Sequence, residues 1–137
     1  MRIVVVAAEF NREIVDLMRA HAARAFAEIS LKPEQVDVIR VFGALEIPAM
    51  IQKAIDTKKY DGAMALGCVI RGETDHYDYV CQGVTYGMQK VAIENRFPIM
   101  FSVLTVQDEA QARARAGNAY EHAKALISMI TVYKQLS

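Results

Sequence analysis

The feature that most constrains this sequence is an almost unbroken apolar run from Gly62 to Ile70. Polar residues stand on both sides of it, Asp61 before the run and Arg71 after it. A run of this length that lacks alternating polar positions is typical of a strand buried on both faces. Such strands occur in parallel sheets that helices cover on both sides, so the run predicts an α/β protein.

A short glycine-containing turn and a helix start follow directly after this strand. Thr74 or Asp75 is expected to cap the helix, and Asp78 stands three positions beyond Asp75, as in a capping box. The backbone N–H groups of residues 72–74 would then point out of a helix N-terminus, where the helix dipole favours an anion. The turn therefore predicts a binding site for a phosphate or a carboxylate.

His76 lies in the first turn of the predicted helix, near the carboxyl end of the strand. Its imidazole could reach whatever the N–H groups of the turn hold. A histidine at a helix start can equally be an ordinary surface or capping residue, so the residues alone leave both interpretations open.

Strands and helices alternate along the rest of the chain. β-branched residues predict strands at 2–8, 36–42 and 98–104, and helical spacing of apolar residues predicts helices at 12–29, 47–57 and up to residue 95. Two short-linked helices are expected after Gln107, with Asp108 and Asn118 as N-caps, Gly117 as the C′ residue between them, and Asn11 as the N-cap of the first helix. We therefore expect a single domain over residues 1–137, a three-layer α/β sandwich with a four-stranded parallel sheet and flavodoxin-like winding.

Composition excludes several classes of function. Sixteen basic and sixteen acidic residues balance, and no block of Lys and Arg suggests a nucleic-acid partner. We find no signal-peptide pattern and no apolar run that could span a membrane, so the cytoplasm is the expected location. Cys68 and Cys81 are expected to be buried reduced thiols, and the histidines at 21, 76 and 122 are too dispersed for a zinc site.

Three segments carry a resemblance to a known family. They are Phe10-Asn11 after the first strand, Gly43-Ala44-x-Glu46-Ile47-Pro48 after the second, and Gly67-x-Val69-Ile70-Arg71-Gly72-x-Thr74-x-His76-Tyr77-Asp78-Tyr79-Val80 in the centre. The central segment resembles the motif of the lumazine synthases, which make 6,7-dimethyl-8-ribityllumazine in riboflavin biosynthesis. The resemblance covers almost the whole chain and implies condensation of 5-amino-6-(D-ribitylamino)uracil with 3,4-dihydroxy-2-butanone 4-phosphate, without a cofactor or a metal.

The resemblance also implies roles for particular residues. His76 would be the general acid/base beside the departing phosphate. The phosphate would be bound by Gly72, Glu73, Thr74 and an Arg115 lent by a neighbouring subunit. The pyrimidine substrate would be bound by Phe10, Asn11, Ala44, Leu45, Glu46, Cys68, Val69, Ile70 and a Phe101 lent across the interface.

Active sites between subunits imply a homo-oligomer, either a pentamer or an assembly of pentamers. Gly83 and Gly87 lie four positions apart in the helix after the central turn, where each glycine costs roughly 1 kcal/mol relative to alanine. Such a pair indicates that another backbone approaches closely, and a ring of five subunits would explain it as a subunit contact.

The sequence departs from the family pattern at several positions. Leu45 replaces an aromatic residue that is common there, so contacts with the substrate ring are expected to be weaker. After Arg115 the chain leads almost directly into its last helix, without the longer loop that contains Gly and Lys, and phosphate binding is expected to be weaker. Glu73 places a carboxylate in the anion turn, which requires the side chain to point away while its N–H donates.

Three alternatives compete with a lumazine synthase. An archaeal-type riboflavin synthase would act on the lumazine product, but the turn from Gly72 to His76 with its phosphate role argues against it. A non-catalytic assembly or flavin- or lumazine-binding protein could share the fold. The joint presence of Phe10, Glu46, His76 and Arg115 favours the enzyme. A flavodoxin-like mononucleotide binder would need a long phosphate loop, which residues 8–12 do not provide.

Overall fold

The computed structural model describes residues 1–137 and shows four strands alternating with five α-helices. The strands are β1 (Ile3–Ala8), β2 (Val36–Val41), β3 (Gly62–Ile70) and β4 (Ile99–Val106). The helices are α1 (Arg12–Glu28), α2 (Ile47–Asp56), α3 (His76–Asn95), α4 (Glu109–Arg115) and α5 (Asn118–Gln135), and short 3₁₀ turns at Pro33–Gln35 and Ala44–Glu46 precede β2 and α2.

All four strands are parallel and lie in the order β2-β1-β3-β4. The two central strands, β1 and β3, are buried on both faces, apart from the last two residues of β3, which are half-buried. This is the three-layer α/β sandwich with flavodoxin-like winding that the sequence predicts, and the apolar run from Gly62 to Ile70 is a central strand of the sheet.

Helices cover both faces of the sheet and form two separate cores. Helices α1, α4 and α5 pack on one face around Met18, Met64 and Leu126. Helices α2 and α3 pack on the other face around Ile47, Ala65 and Met88. No helix combines the length and the hydropathy that crossing a membrane requires.

The connection between α4 and α5 differs in part from the prediction. The N-cap at Asp108 is confirmed, since its Oδ1 accepts a hydrogen bond from the Gln111 N–H at 2.8 Å. Gly117 follows the C-cap residue Ala116 and so occupies the predicted C′ position, but its φ of −64° gives it a right-handed helical backbone and not the left-handed one that is common there. Asn118 is the first residue of α5 and does not cap it. Ala116 and Gly117, which join α4 to α5, both have a right-handed helical backbone, so no left-handed residue separates the two helices.

The close approach predicted at Gly83 and Gly87 is present, but side chains of the same subunit make it. A Cβ on Gly83 would lie 2.8 Å from Cδ2 of Leu45, and a Cβ on Gly87 would lie 2.9 Å from both Cβ and Cγ of Pro48. The two glycines let the Ala44–Glu46 turn and the start of α2 pack against α3. The expected subunit contact therefore finds no support at this position.

Substituting these two glycines should have opposite consequences for stability. Alanine at either position gains up to about 1 kcal/mol of helix propensity. Gly87→Ala should still lower the free energy of unfolding by about 1 kcal/mol or more, because the rigid Pro48 ring cannot rotate away from the new methyl group. Gly83→Ala meets only the mobile end of Leu45 and should be neutral or stabilising. Urea denaturation at one protein concentration measures both, and equal losses would contradict this account of the contact.

Candidate active site

A cleft of about 420 Å³ opens at the carboxyl ends of β1, β2 and β3. Ligands bind at this edge in open α/β sheets, because the loops that follow parallel strands converge there. The cleft brings together eleven of the predicted site residues: Phe10, Asn11, Ala44, Leu45, Glu46, Cys68, Val69, Ile70, Gly72, Thr74 and His76. Segments that are distant in the sequence thus share one cavity.

The turn after β1 is held by two long-range contacts. Asn11 has a left-handed backbone with φ 57°, and its Nδ2 donates a hydrogen bond to the Cys68 carbonyl at 2.8 Å. Asn11 is the N-cap residue of α1, as predicted, but its side chain does not cap the helix, because the amide bonds to the end of β3 instead of the first turn of α1. The Phe10 N–H donates to the Phe42 carbonyl at 2.9 Å, which fixes the turn against the end of β2 as well.

Two aromatic side chains stand at the cleft where β1 and β2 end. Phe10 is 62% exposed and Phe42 is 75% exposed, and their ring centroids are 6.2 Å apart with a 50° angle between the planes. The sequence predictions include Phe10 but miss Phe42. Both residues show the same signal, a large aromatic residue at the end of an apolar strand. The sequence analysis includes Phe42 in the second strand, whereas β2 ends at Val41.

Glu46 ends the 3₁₀ turn that joins β2 to α2. Its Oε1 accepts a hydrogen bond from the Gly43 N–H at 2.9 Å, so the carboxylate stabilises its own turn. A carboxylate offers about four acceptor positions, which leaves capacity for ligand hydroxyl groups. Glu46 can therefore position the turn and bind a polyol in the same cleft.

The turn between β3 and α3 is shaped differently from the predicted capping box. Asp75 has a helical backbone and no side-chain cap, while the His76 N–H donates to Thr74 Oγ1 at 3.2 Å. Asp78 does not reach back to Asp75, because its carboxylate pairs with the Arg71 guanidinium at 3.0 Å. Thr74 is thus the side chain that holds the start of α3.

Arg71 spans the base of this turn. In addition to its ion pair with Asp78, its guanidinium stacks on the Tyr77 ring, with Cζ 4.4 Å from the ring centroid. The turn from Gly72 to Thr74 projects beyond this brace, and a Cβ on Gly72 would meet no atom within 4 Å. The base of the turn is therefore held on both sides while its tip is open to a ligand.

Neither cysteine of the chain is in a disulfide. Burial raises the pKa of the Cys68 thiol to about 11, so the thiol remains protonated at neutral pH and is a poor nucleophile. Burial, as the largest cause, also raises the pKa of the Cys81 thiol. Cys68 therefore serves the cleft through its apolar surface and through its carbonyl, which accepts from Asn11. No group of three or more His, Cys, Asp or Glu residues is arranged to hold a metal ion.

Three predicted site residues do not line the cleft of their own chain. Glu73 is exposed on the turn between β3 and α3. Phe101 lies on the edge strand β4, where it pairs with Ala65 of β3, and packs half-buried against the core formed with α2 and α3. Arg115 is exposed at the end of α4, with only a 3.4 Å hydrogen bond from Nη1 to the Gln111 carbonyl. Conversely, Gly43, Tyr77 and Val80 line the cleft, although the sequence analysis names them only as motif residues and not as site residues.

Comparison with known proteins points to one family. The family model described as 6,7-dimethyl-8-ribityllumazine synthase matches residues 1–134. A protein of that name from Coxiella burnetii is 38% identical over 140 residues, covering 98% of this chain and 93% of the relative. Two others are from Corynebacterium kroppenstedtii (42% over 134 residues, 95% and 81% covered) and Thermococcus kodakarensis (39% over 140 residues, 99% and 88% covered).

The two functions of Asn11 in the turn can be separated by substitution. Asn11→Gly keeps a residue that accepts the left-handed backbone but removes the bond to Cys68, and should lose about 0.5–1.5 kcal/mol of unfolding free energy. Asn11→Ala also removes this bond, but it keeps a Cβ in the left-handed region without the short polar side chain that lets asparagine adopt it, and should lose roughly 1 kcal/mol more. Urea denaturation compares the two variants. If alanine proved as stable as glycine, the left-handed turn would not be what asparagine supplies.

Proposed function

Because the chain belongs to the 6,7-dimethyl-8-ribityllumazine synthase family, the transferase family of riboflavin biosynthesis that the sequence predicts, we propose that its cleft is the substrate-binding half of the active site. The substrates are 5-amino-6-(D-ribitylamino)uracil and 3,4-dihydroxy-2-butanone 4-phosphate. The products are the lumazine, inorganic phosphate and water. The family match and the relatives give no support to a riboflavin synthase or a non-catalytic homologue.

Three kinds of chemical group lie together in one cleft, and this observation supports the assignment of roles. An aromatic side chain, Phe10, suits the pyrimidine ring, and the Glu46 carboxylate suits the ribityl hydroxyl groups. The turn from Gly72 to Thr74 suits the phosphate, since its N–H groups precede the N-terminus of α3. Holding two substrates side by side in this way can contribute up to about 7–11 kcal/mol to lowering the barrier.

His76 is the residue that moves the protons of the reaction in this proposal. It is the first residue of α3, and the bond from its N–H to Thr74 Oγ1 fixes its backbone beside the phosphate turn. Imine formation, loss of phosphate and ring closure each require proton transfer to or from nitrogen or oxygen. An imidazole can both donate and accept a proton in such steps.

The phosphate clamp and part of the ring site come from a second copy of the chain in this proposal. Arg115 and Phe101 do not line their own cleft, although the family pattern gives them contacts with the substrates. An unpartnered apolar stripe on α3 supports assembly, since Tyr79, Tyr86 and Ile93 are exposed and lie seven residues apart on one helix face. We therefore propose a homopentamer with active sites between subunits. The cytoplasm is its proposed location, which agrees with its two free cysteines.

Turnover with the two substrates tests the function directly. Lumazine fluorescence and phosphate release should rise together in the wild-type protein. His76→Ala should slow turnover by about 10²- to 10⁴-fold without abolishing it, because substrate positioning survives the loss of proton transfer. Circular dichroism controls for folding. A folded wild-type oligomer without turnover would refute the catalytic function, and complete loss in a folded His76→Ala protein would show that His76 does more than transfer protons.

Arg115 has a matched control on the same helix. Arg115→Ala should raise the KM for the butanone phosphate about 10- to 100-fold, the worth of one charge-assisted hydrogen bond. Arg113→Ala should leave this KM unchanged, because Arg113 pairs with Glu13 at 2.8 Å and Glu109 at 2.9 Å in its own subunit. Equal effects of the two substitutions would argue against an Arg115 clamp.

Mixed oligomers show whether the clamp comes from a neighbour. In oligomers co-assembled from equal amounts of His76→Ala and Arg115→Ala subunits, about one site in four would combine an intact His76 with an intact Arg115 from the next subunit. Activity should then recover to about a quarter of the wild-type value. A clamp supplied within one chain would give no recovery.

A further inference from the structure

The most exposed aromatic side chain at the cleft, Phe42, has no role in the reaction so far. It directly follows β2, lines the cleft and exposes 75% of its surface. An exposed aromatic ring leaves a large apolar area in water, and such a ring beside a ligand cleft marks a surface that another group covers.

Phe42 and Phe10 form a preformed pair. Their ring centroids are 6.2 Å apart, within the range in which aromatic rings contact each other, and the 50° angle between their planes leaves two faces inclined to one another. The hydrogen bond from the Phe10 N–H to the Phe42 carbonyl ties the two backbones together at 2.9 Å. A ligand ring that packs against the pair therefore meets surfaces that require little ordering on binding.

Leu45, in the same connection between β2 and α2, has no aromatic ring. It stands where an aromatic residue is common in the family pattern, and its side chain is directed onto α3, since its Cδ2 occupies the space that a Cβ on Gly83 would need. The only aromatic side chain between the end of β2 and the start of α2 is Phe42.

We propose that Phe42 is a specificity-determining residue that, with Phe10, holds the pyrimidine ring of the substrate and the ring system of the lumazine product. It supplies the aromatic contact that Leu45 lacks. The ring stacks on one phenylalanine and meets the other at its edge, as tilted aromatic neighbours do. This inference rests on the proposed function and adds a residue to its ring site. It requires Phe42 to affect the pyrimidine substrate and the product, and not the butanone phosphate.

A second copy of the chain is the competing occupant of Phe42. The side chain also borders an outer groove, which includes Arg40, Met50 and Lys53 on its far side. A subunit seated in that groove would cover Phe42 without involving a ligand. Removal of the Phe42 ring would then weaken assembly and change the KM of both substrates together.

The test compares a substitution that removes the aromatic ring with one that keeps an aromatic side chain. Phe42→Leu keeps an apolar side chain and should raise the KM for the pyrimidine substrate and the Kd for 6,7-dimethyl-8-ribityllumazine by about 2- to 10-fold, the worth of one aromatic contact. Phe42→Trp should keep both values close to those of the wild type. The KM for the butanone phosphate and the mass by sedimentation should not change in either variant. Tyr133→Leu, an exposed ring on the last turns of α5, is the matched control and should change nothing.

Each result decides between the two occupants. Unchanged pyrimidine KM and product Kd in Phe42→Leu would overturn the proposal. A joint rise in both substrate KM values, together with a smaller assembly, would also overturn it and place Phe42 in a subunit interface. The product Kd is measured without turnover, so an inactive wild-type protein would refute the proposed function while the effect of Phe42 on lumazine binding would still be decided.

Discussion

The structure depends on burying two parallel strands, β1 and β3, in the centre of one sheet. Every residue of β1 is buried, and β3 is buried up to its last two residues, so both faces of the sheet need a covering layer. The apolar faces of the helices supply it, with α1, α4 and α5 on one face of the sheet and α2 and α3 on the other. Because parallel strands all run in one direction, each must be followed by a connection at the same edge. The cleft exists at that edge because three of these connections meet there.

Long-range hydrogen bonds then turn this edge into a defined site. Backbone N–H and C=O groups at the ends of strands have no hydrogen-bond partner on a neighbouring strand, and groups in the turns of other segments bond to them instead. Asn11 donates to the Cys68 carbonyl, 57 residues away, and the Phe10 N–H donates to the Phe42 carbonyl. Glu46 closes its own turn on the Gly43 N–H. These bonds hold the aromatic pair and the carboxylate in place before any ligand arrives, which lowers the ordering cost of binding.

The cleft of one chain is only part of the active site that we propose. It contains an aromatic pair, a carboxylate, an anion turn and a histidine, whereas Arg115 and Phe101 lie on other surfaces of the chain. The exposed stripe of Tyr79, Tyr86 and Ile93 on α3 is a further surface without a partner. An assembly that covers this stripe and brings one subunit's α4 to the next subunit's cleft would complete the phosphate site. Catalysis and assembly would then depend on each other.

The amino-acid sequence by itself determined the order of strands and helices and the parallel sheet, because periodicity and apolar runs report directly which residues must be buried. The family and the segments that meet at the cleft followed from the resemblance of three motifs to the lumazine synthases. The sequence did not determine which partner a polar side chain takes. Asn11 and Asp78 both fit local capping patterns, yet one bonds to Cys68 and the other to Arg71. Likewise Gly83 and Gly87 predicted a close contact with α3. Only the tertiary structure shows that the side chains of Leu45 and Pro48 make it. The exposure of Phe42 could not be read from the sequence either, because the residue directly follows an apolar strand. A hydrogen bond or a packing contact is chosen among all groups that the fold brings within reach, and those groups are neighbours in space and not in sequence.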